Sequence, residues 1–221
     1  MEPPQYPGLV LNEAYFMEIS KMAWVKAASV RIEEDVLVVT RFDRIPQSGH
    51  SATQLHVEDA LQILDRYPLA KYSLDYTEIM EAAQRLQVAR SVLLDLLRLY
   101  AFSYAIGNGD LHAKNISFSF DPIAGRWQTT PAYDLLCTLP YFEDEAYGLH
   151  MALPLDEQFS DFEPENFRKI GERFSIPHAA VDSMLKKVAK GVGEAIRAQA
   201  PPIPGTALRE MISRIHRLGA H

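Results

Sequence analysis

Asp110 and Asn115 stand five positions apart in the run Asp110-Leu111-His112-Ala113-Lys114-Asn115, and Asp134 follows nineteen positions after Asn115. A carboxylate can orient an alcohol and take its proton, while the side-chain oxygens of Asn and Asp suit magnesium held across a nucleotide's phosphates. Phosphoryl transfer from a nucleotide needs that set, and Asp-x-x-x-x-Asn is the spacing of a kinase catalytic loop. The spacing alone does not decide the matter. Asp and Asn after a glycine also turn and cap chains, and Asp134 by itself reads first as an N-cap before Leu135.

The surrounding elements supply the context. Thr77 caps a long helical region that runs to about Ile106, so dense in apolar residues from Leu93 to Tyr104 that most of its circumference must be covered. Gly107-Asn108-Gly109 ends it. Beyond the polar run, Ile116, Phe118 and Phe120 alternate with Ser117 and Ser119, the mark of a strand with one buried face. Asp121-Pro122 and Gly125 supply a turn, and Trp127 to Thr130 return as a second strand ending at Pro131-Ala132-Tyr133-Asp134. A hairpin brings its ends together, which places Asp134 beside Asn115. His112, inside the loop and ionisable, can contact a phosphate or be bonded to backbone. It does not point to zinc, because no second histidine stands at H-x-x-x-H spacing and Cys137 is the only cysteine.

Ahead of this centre, apolar residues at helical spacing give a helix from Asn12 to Ala23 with Asn12 as its N-cap. Val30 to Ile32 and Val36 to Val39 are β-branched runs that form an antiparallel pair, leading to Arg41-Phe42-Asp43-Arg44. Pro46 to Ser51 reads as a polar loop, and Val57, Leu61 and Leu64 mark a short helix that stops before Pro68. Three further helices follow, at about Glu165 to Phe174, Pro177 to Ala198 and Thr206 to Leu218. The fold class is therefore α+β: a small strand and helix lobe over residues 1–50, then a helical lobe over residues 51–221 that holds one hairpin.

Composition sets outer bounds. With 221 residues, 48% hydrophobic and 23% charged, the chain can fill a substantial core. A net charge of -7 and the lack of any basic run argue against direct nucleic-acid binding. A single cysteine suits a reducing cytoplasm. The start, MEPPQYPG, has no signal-peptide pattern, and the most apolar segment is interrupted by Asp95 and Arg98, so neither secretion nor a membrane span is expected.

The sequence resembles the HipA family of serine/threonine kinase toxins. The stretches that carry the resemblance are NEAYFMEISKMA (12–23), VVTRFDRI (38–45), LHVEDALQ (55–62), AKY (70–72), GNGDLHAKNISFSF (107–120), PAYDLL (131–136) and MALP (151–154). It implies a protein-kinase-like fold with ATP and Mg2+ as cofactors, Asp110 as catalytic base, Asn115 and Asp134 as magnesium ligands, and His112 and Lys114 near the phosphates. Thr40 and Phe42 would face the adenine at the hinge. The acceptor would be a serine or threonine hydroxyl on a protein, and a DNA-binding antitoxin a partner. The family more often has an acidic residue where Thr40 stands and a Gly-rich turn where Ser73 to Tyr76 stand. Its Asn-Glu helix also follows a longer front part with a phosphate-covering loop and a nucleotide-gripping lysine, matched by neither Lys21 nor Lys26. The expectation is a half-kinase completed by a separate N-terminal lobe. Two other readings stay open: an inactive remnant that binds partners, and a small-molecule phosphotransferase, since GDLHAKN also resembles the GDLH-x-x-N loop of aminoglycoside and choline kinases.

Overall fold

A computed structural model describes residues 6–47, 50–122, 124–141 and 149–219. Its first helix, α1 (Leu9–Ile19), starts after Gly8, whose φ of 74° is a left-handed conformation that glycine adopts without a Cβ clash. The expected cap, Asn12, lies within the helix and is completely buried. Its carboxamide is engaged 125 positions away: Nδ2 donates to the Cys137 carbonyl at 2.8 Å, and Oδ1 accepts from the Cys137 N–H at 2.9 Å. A short 3-10 turn, Ser20–Ala23, ends this first segment.

β1 (Val30–Glu33) and β2 (Val36–Val39) form the expected antiparallel pair, in the register Val30 to Val39 and Glu33 to Val36. Where a loop is expected, a second hairpin pairs β3 (Arg44–Gln47) with β4 (His50–Gln54); residues 48 and 49 of that expected loop lie outside the described residues. Val57 belongs to a strand and not to a helix, because β5 (His56–Asp59) pairs with the edge of the central hairpin. The helix begins only at α2 (Ala60–Ile63), capped by Asp59, whose Oδ1 accepts from the Gln62 N–H at 3.0 Å.

The long helical region is two helices, α3 (Tyr76–Arg85) and α4 (Arg90–Ile106), with Gln87 at a φ of 56° between them. Asp75, not Thr77, caps α3, since its Oδ1 accepts from both the Thr77 N–H and the Thr77 hydroxyl. α4 is the spine of the larger lobe, with Leu96, Leu97, Tyr100 and Phe102 fully buried. It packs against α6 (His178–Ala198) and α7 (Gly205–Arg217), while α5 (Pro164–Arg173) packs on α6. Buried Arg214 of α7 donates to the Tyr104 carbonyl at 3.2 Å and the Leu149 carbonyl at 2.8 Å, with Glu210 as its counter-ion, which fixes the end of α4.

From there the chain enters the loop of interest. Gly107, at a φ of 71°, ends α4 where a Cβ would overlap the Leu139 side chain. β6 (Ser117–Asp121) and β7 (Arg126–Thr129) then form the hairpin in the expected place, with Phe118 opposite Thr129 and Phe120 opposite Trp127. β5, β6 and β7 form a three-stranded sheet in that order. Beyond β7, Ala132 exchanges backbone hydrogen bonds with Lys26 and Ala28, both at 2.8 Å, so the segment around Asp134 is tied to the front as well.

Asn12→Ala would leave the Cys137 N–H and C=O buried without partners, and each such group costs about 1–3 kcal/mol. Urea unfolding of this variant should show a loss of about 2–4 kcal/mol against the parent. A loss well under 1 kcal/mol would mean that water or a neighbouring group takes the place of the amide.

Candidate active site

The loop after α4 is organised around one carbonyl. Asp110 O accepts from the His112 N–H at 2.8 Å and from Asn115 Nδ2 at 3.1 Å, folding the six-residue run into a tight curl. Asn115 sits on a short 3-10 turn, Ala113–Asn115, and its Nδ2 also donates to Asp134 Oδ2 at 2.7 Å. The hairpin thus delivers Asp134 to Asn115, as its two ends require. Asp134 has a φ of 59°, a left-handed conformation in which a non-glycine residue is uncommon and which is concentrated at functional sites.

Two residues hold this geometry from behind. Asn108 is completely buried; its Oδ1 accepts from the Asp110 N–H at 3.0 Å, and its Nδ2 lies 3.4 Å from the Asp134 carbonyl. Thr138 donates its hydroxyl to the Gly107 carbonyl at 3.1 Å and accepts from the Gly109 N–H at 2.8 Å. Gly-Asn-Gly reads in sequence only as a helix stop, so the role of Asn108 as a brace between loop and Asp134 is invisible there.

The remaining expected residues divide into two sets. Thr40 and Phe42 line a cleft of about 660 Å³ together with Glu13, Val57, Tyr133 and Asp134. Phe42 stacks on Tyr133 at 5.9 Å between ring centroids and 23° between planes, giving the cleft an aromatic wall, and the Tyr133 hydroxyl donates to the Lys114 carbonyl at 2.7 Å. His112 is buried and faces Tyr72 edge-on at 5.2 Å; its Nδ1 has no hydrogen-bond partner among the described residues. A buried polar atom of that kind calls for a partner from a ligand or solvent. Lys114 turns elsewhere: its ammonium pairs with Asp59 Oδ2 at 3.0 Å, which locks the loop to the start of α2. Tyr72, which the sequence marks only as the end of the AKY run and assigns no role, donates its hydroxyl to Asp110 Oδ1 at 2.8 Å.

Charge in the cleft is predominantly negative. Burial raises the carboxyl of Asp134 above its ordinary value, and the Asp110 carboxylate raises it further, against a lowering by the Asn115 amide. Glu13, one residue after Asn12 on α1, is pushed up to about 7, by burial first and by Asp134 second. No cation among the described residues forms an ion pair with it. Among the described residues no group of three or more His, Cys, Asp or Glu forms a ready-made metal cage.

A family model described as the HipA-like C-terminal domain matches residues 2–196. Among curated relatives, the "Putative kinase Y4dM" of Sinorhizobium fredii is 29% identical over 157 residues, covering 64% of this chain and 37% of that protein. The serine/threonine-protein kinase toxin HipA of Shewanella oneidensis is 24% identical over 214 residues, covering 87% of this chain and 48% of that one. Its solved complex with HipB and operator DNA matches with a TM-score of 0.73 at 22% identity, over 96% of this chain and 55% of the other. The proinflammatory kinase CtkA of Helicobacter pylori matches with a TM-score of 0.56 at 12% identity, over 98% and 84%. Both structures share the α+β kinase-like fold with this chain. The chain spans only about a third to just over half the length of four curated relatives that it matches.

The raised Glu13 carboxyl has a measurable consequence. Between its ordinary value of 4.5 and about 7 the folded state holds a proton that the unfolded chain has lost. Stability therefore falls as pH rises through that window, and the full cost is felt above it. Glu13→Gln removes the cost. After allowance for screening by the solvent Glu13 still meets, the variant should gain about 1–2 kcal/mol on the parent between pH 5 and pH 8 in urea unfolding. Parallel pH profiles for the two proteins would show that Glu13 ionises normally.

Proposed function

This chain belongs to the HipA-like C-terminal domain family, and we propose that it is the catalytic part of a serine/threonine protein kinase that transfers the ATP γ-phosphoryl group to a protein hydroxyl. The observation that carries this reading is the position of Asn115, whose one amide nitrogen reaches both the Asp110 carbonyl and the Asp134 carboxylate. The proposed base and the two proposed oxygen ligands are thereby held together around Asn115, with Asp134 lining the cleft. Asp110 takes the proton of the acceptor alcohol as its oxygen bonds to the γ-phosphorus, and the bond from that phosphorus to the bridging oxygen breaks to release ADP. Asn115, whose amide nitrogen is already committed, and Asp134 would hold Mg2+ through their oxygens. When bound, the ion neutralises phosphate charge and so favours transfer.

Thr40 and Phe42 of the front lobe, residues 1–50, would receive the adenine against Tyr133, and His112 supplies a buried nitrogen toward the phosphates. Residues 51–221 form the catalytic lobe. Lys114 serves the phosphates only if it leaves Asp59. A separate N-terminal lobe is a further proposed partner, one that would bring a cation to Glu13. By analogy with the HipA–HipB–operator complex, a DNA-binding antitoxin is the proposed regulatory partner and a toxin role the proposed setting. Among the described residues no helix is long and apolar enough to cross a membrane, and a cytoplasmic location is proposed on the single buried cysteine.

Missing a preorganised donor at the transferring phosphoryl group typically costs on the order of 3 kcal/mol, or about a hundredfold in rate. The 221-residue chain fused to the front lobe of the Shewanella HipA should therefore label serine or threonine of proteins in a bacterial extract at least about a hundredfold faster than the chain alone. Asp110→Ala in that fusion should abolish labelling while the fold is kept. Equal, robust turnover by the unfused chain would overturn the half-kinase part of the proposal, and labelling that survives Asp110→Ala would remove the base. Labelling confined to aminoglycosides or other small alcohols would favour the small-molecule alternative.

A further inference from the structure

The hydrogen bond from Tyr72 to Asp110 is not explained by the transfer step. Its donor is an alcohol-type O–H, its acceptor is Oδ1 of the proposed base, and its length is 2.8 Å. That is the bond an acceptor hydroxyl must itself make with Asp110 before giving up its proton. Tyr72 is thus an intramolecular hydroxyl already seated where a substrate hydroxyl belongs.

The segment that carries it is largely exposed. Tyr72 ends a five-residue 3-10 helix, Pro68–Tyr72, in which no residue is buried. Tyr67 is 86% and Leu69 95% exposed, while Ala70 alone among the apolar residues of this turn packs against the core. Tyr72 itself is 48% exposed. Its ring is bracketed by the edge of His112 at 5.2 Å and by the Lys71 ammonium at 4.6 Å from its centroid, contacts that hold the phenol in place without enclosing it. Burial and the neighbouring carboxylate push its hydroxyl up to about 12, so it remains a donor throughout the physiological range.

We propose that Tyr72 is a built-in stand-in for the acceptor: its phenol occupies the acceptor seat on Asp110 in the resting enzyme and must swing out before any alcohol or water can be activated there. The inference rests on the phosphotransferase reading of Asp110. It makes Pro68–Tyr72 a gate on access to Asp110. A protein acceptor opens the gate by contacting the exposed Tyr67 and Leu69, whereas solvent alone leaves it closed, so futile hydrolysis of ATP is suppressed.

The test uses Tyr72→Phe, which keeps the ring and removes only the hydroxyl. ADP release with no protein acceptor, measured on the 221-residue chain and its front-lobe fusion, should rise severalfold in the variant because water gains the vacated seat, with KM for ATP unchanged. A residue that merely braced Asp110 would give the opposite sign, a fall in ADP release. A double-mutant cycle of Tyr72→Phe with Asp110→Ala, read by urea unfolding, checks the contact without any need for turnover and should be non-additive. Additive effects, or a variant whose ADP release is unchanged or lower, overturn the stand-in and leave the kinase reading intact. No ADP release by any form, parent and fusion included, overturns the kinase reading and the stand-in with it.

Discussion

The carboxamide of Asn12 satisfies both backbone polar groups of Cys137, and the rest of the site depends on that pairing. A backbone N–H and C=O buried with no strand beside them would each cost more than the small margin by which domains of this size are stable can easily spare. The chain meets the need with a side chain from 125 positions earlier. In doing so it fastens α1 to the segment that has just left Asp134. Glu13, the next residue on α1, is then held in the cleft beside Asp134 whether or not their charges welcome it.

The charge arrangement follows from that constraint. Glu13 and Asp134 line one cleft and Asp110 lies close enough to act on Asp134, so burial and mutual repulsion raise the carboxyls of Asp134 and Glu13. Such an arrangement opposes folding and is retained in active sites because it sets affinity for what binds there. Lys114, the lysine inside the loop, is spent on Asp59, where it holds the loop against α2.

Much of this was legible in the sequence, for reasons specific to particular residues. The β6-β7 hairpin announced itself through alternation from Ile116 to Phe120 and a turn around Gly125, and once its two ends meet, the pairing of Asn115 with Asp134 is forced by geometry. The front pair, β1 and β2, was equally plain from its β-branched runs. Where the reading failed, a partner distant in sequence had overruled local preference. Asn12 looks like a cap because most helix-proximal asparagines are caps, and nothing nearby reveals Cys137. Val57 fits a helical spacing, yet the open edge of β6 draws it into a strand. The division between α3 and α4 carries no Gly or Pro, so Gln87 gives no warning of its left-handed turn. Tyr72 and Asn108 were passed over as site residues because their roles exist only once the loop is folded.

The central claim is that Asp110, Asn115 and Asp134 form a magnesium-nucleotide site, and calorimetric titration of ATP into the 221-residue chain tests it most directly. The titration is run with and without Mg2+, for the parent and for Asp134→Asn. The expected result is weak ATP binding by the parent that strengthens on adding Mg2+, and loss of that metal-dependent gain in Asp134→Asn. Equal affinity of parent and variant in the presence of Mg2+, or no dependence on the metal in either, would contradict the assignment.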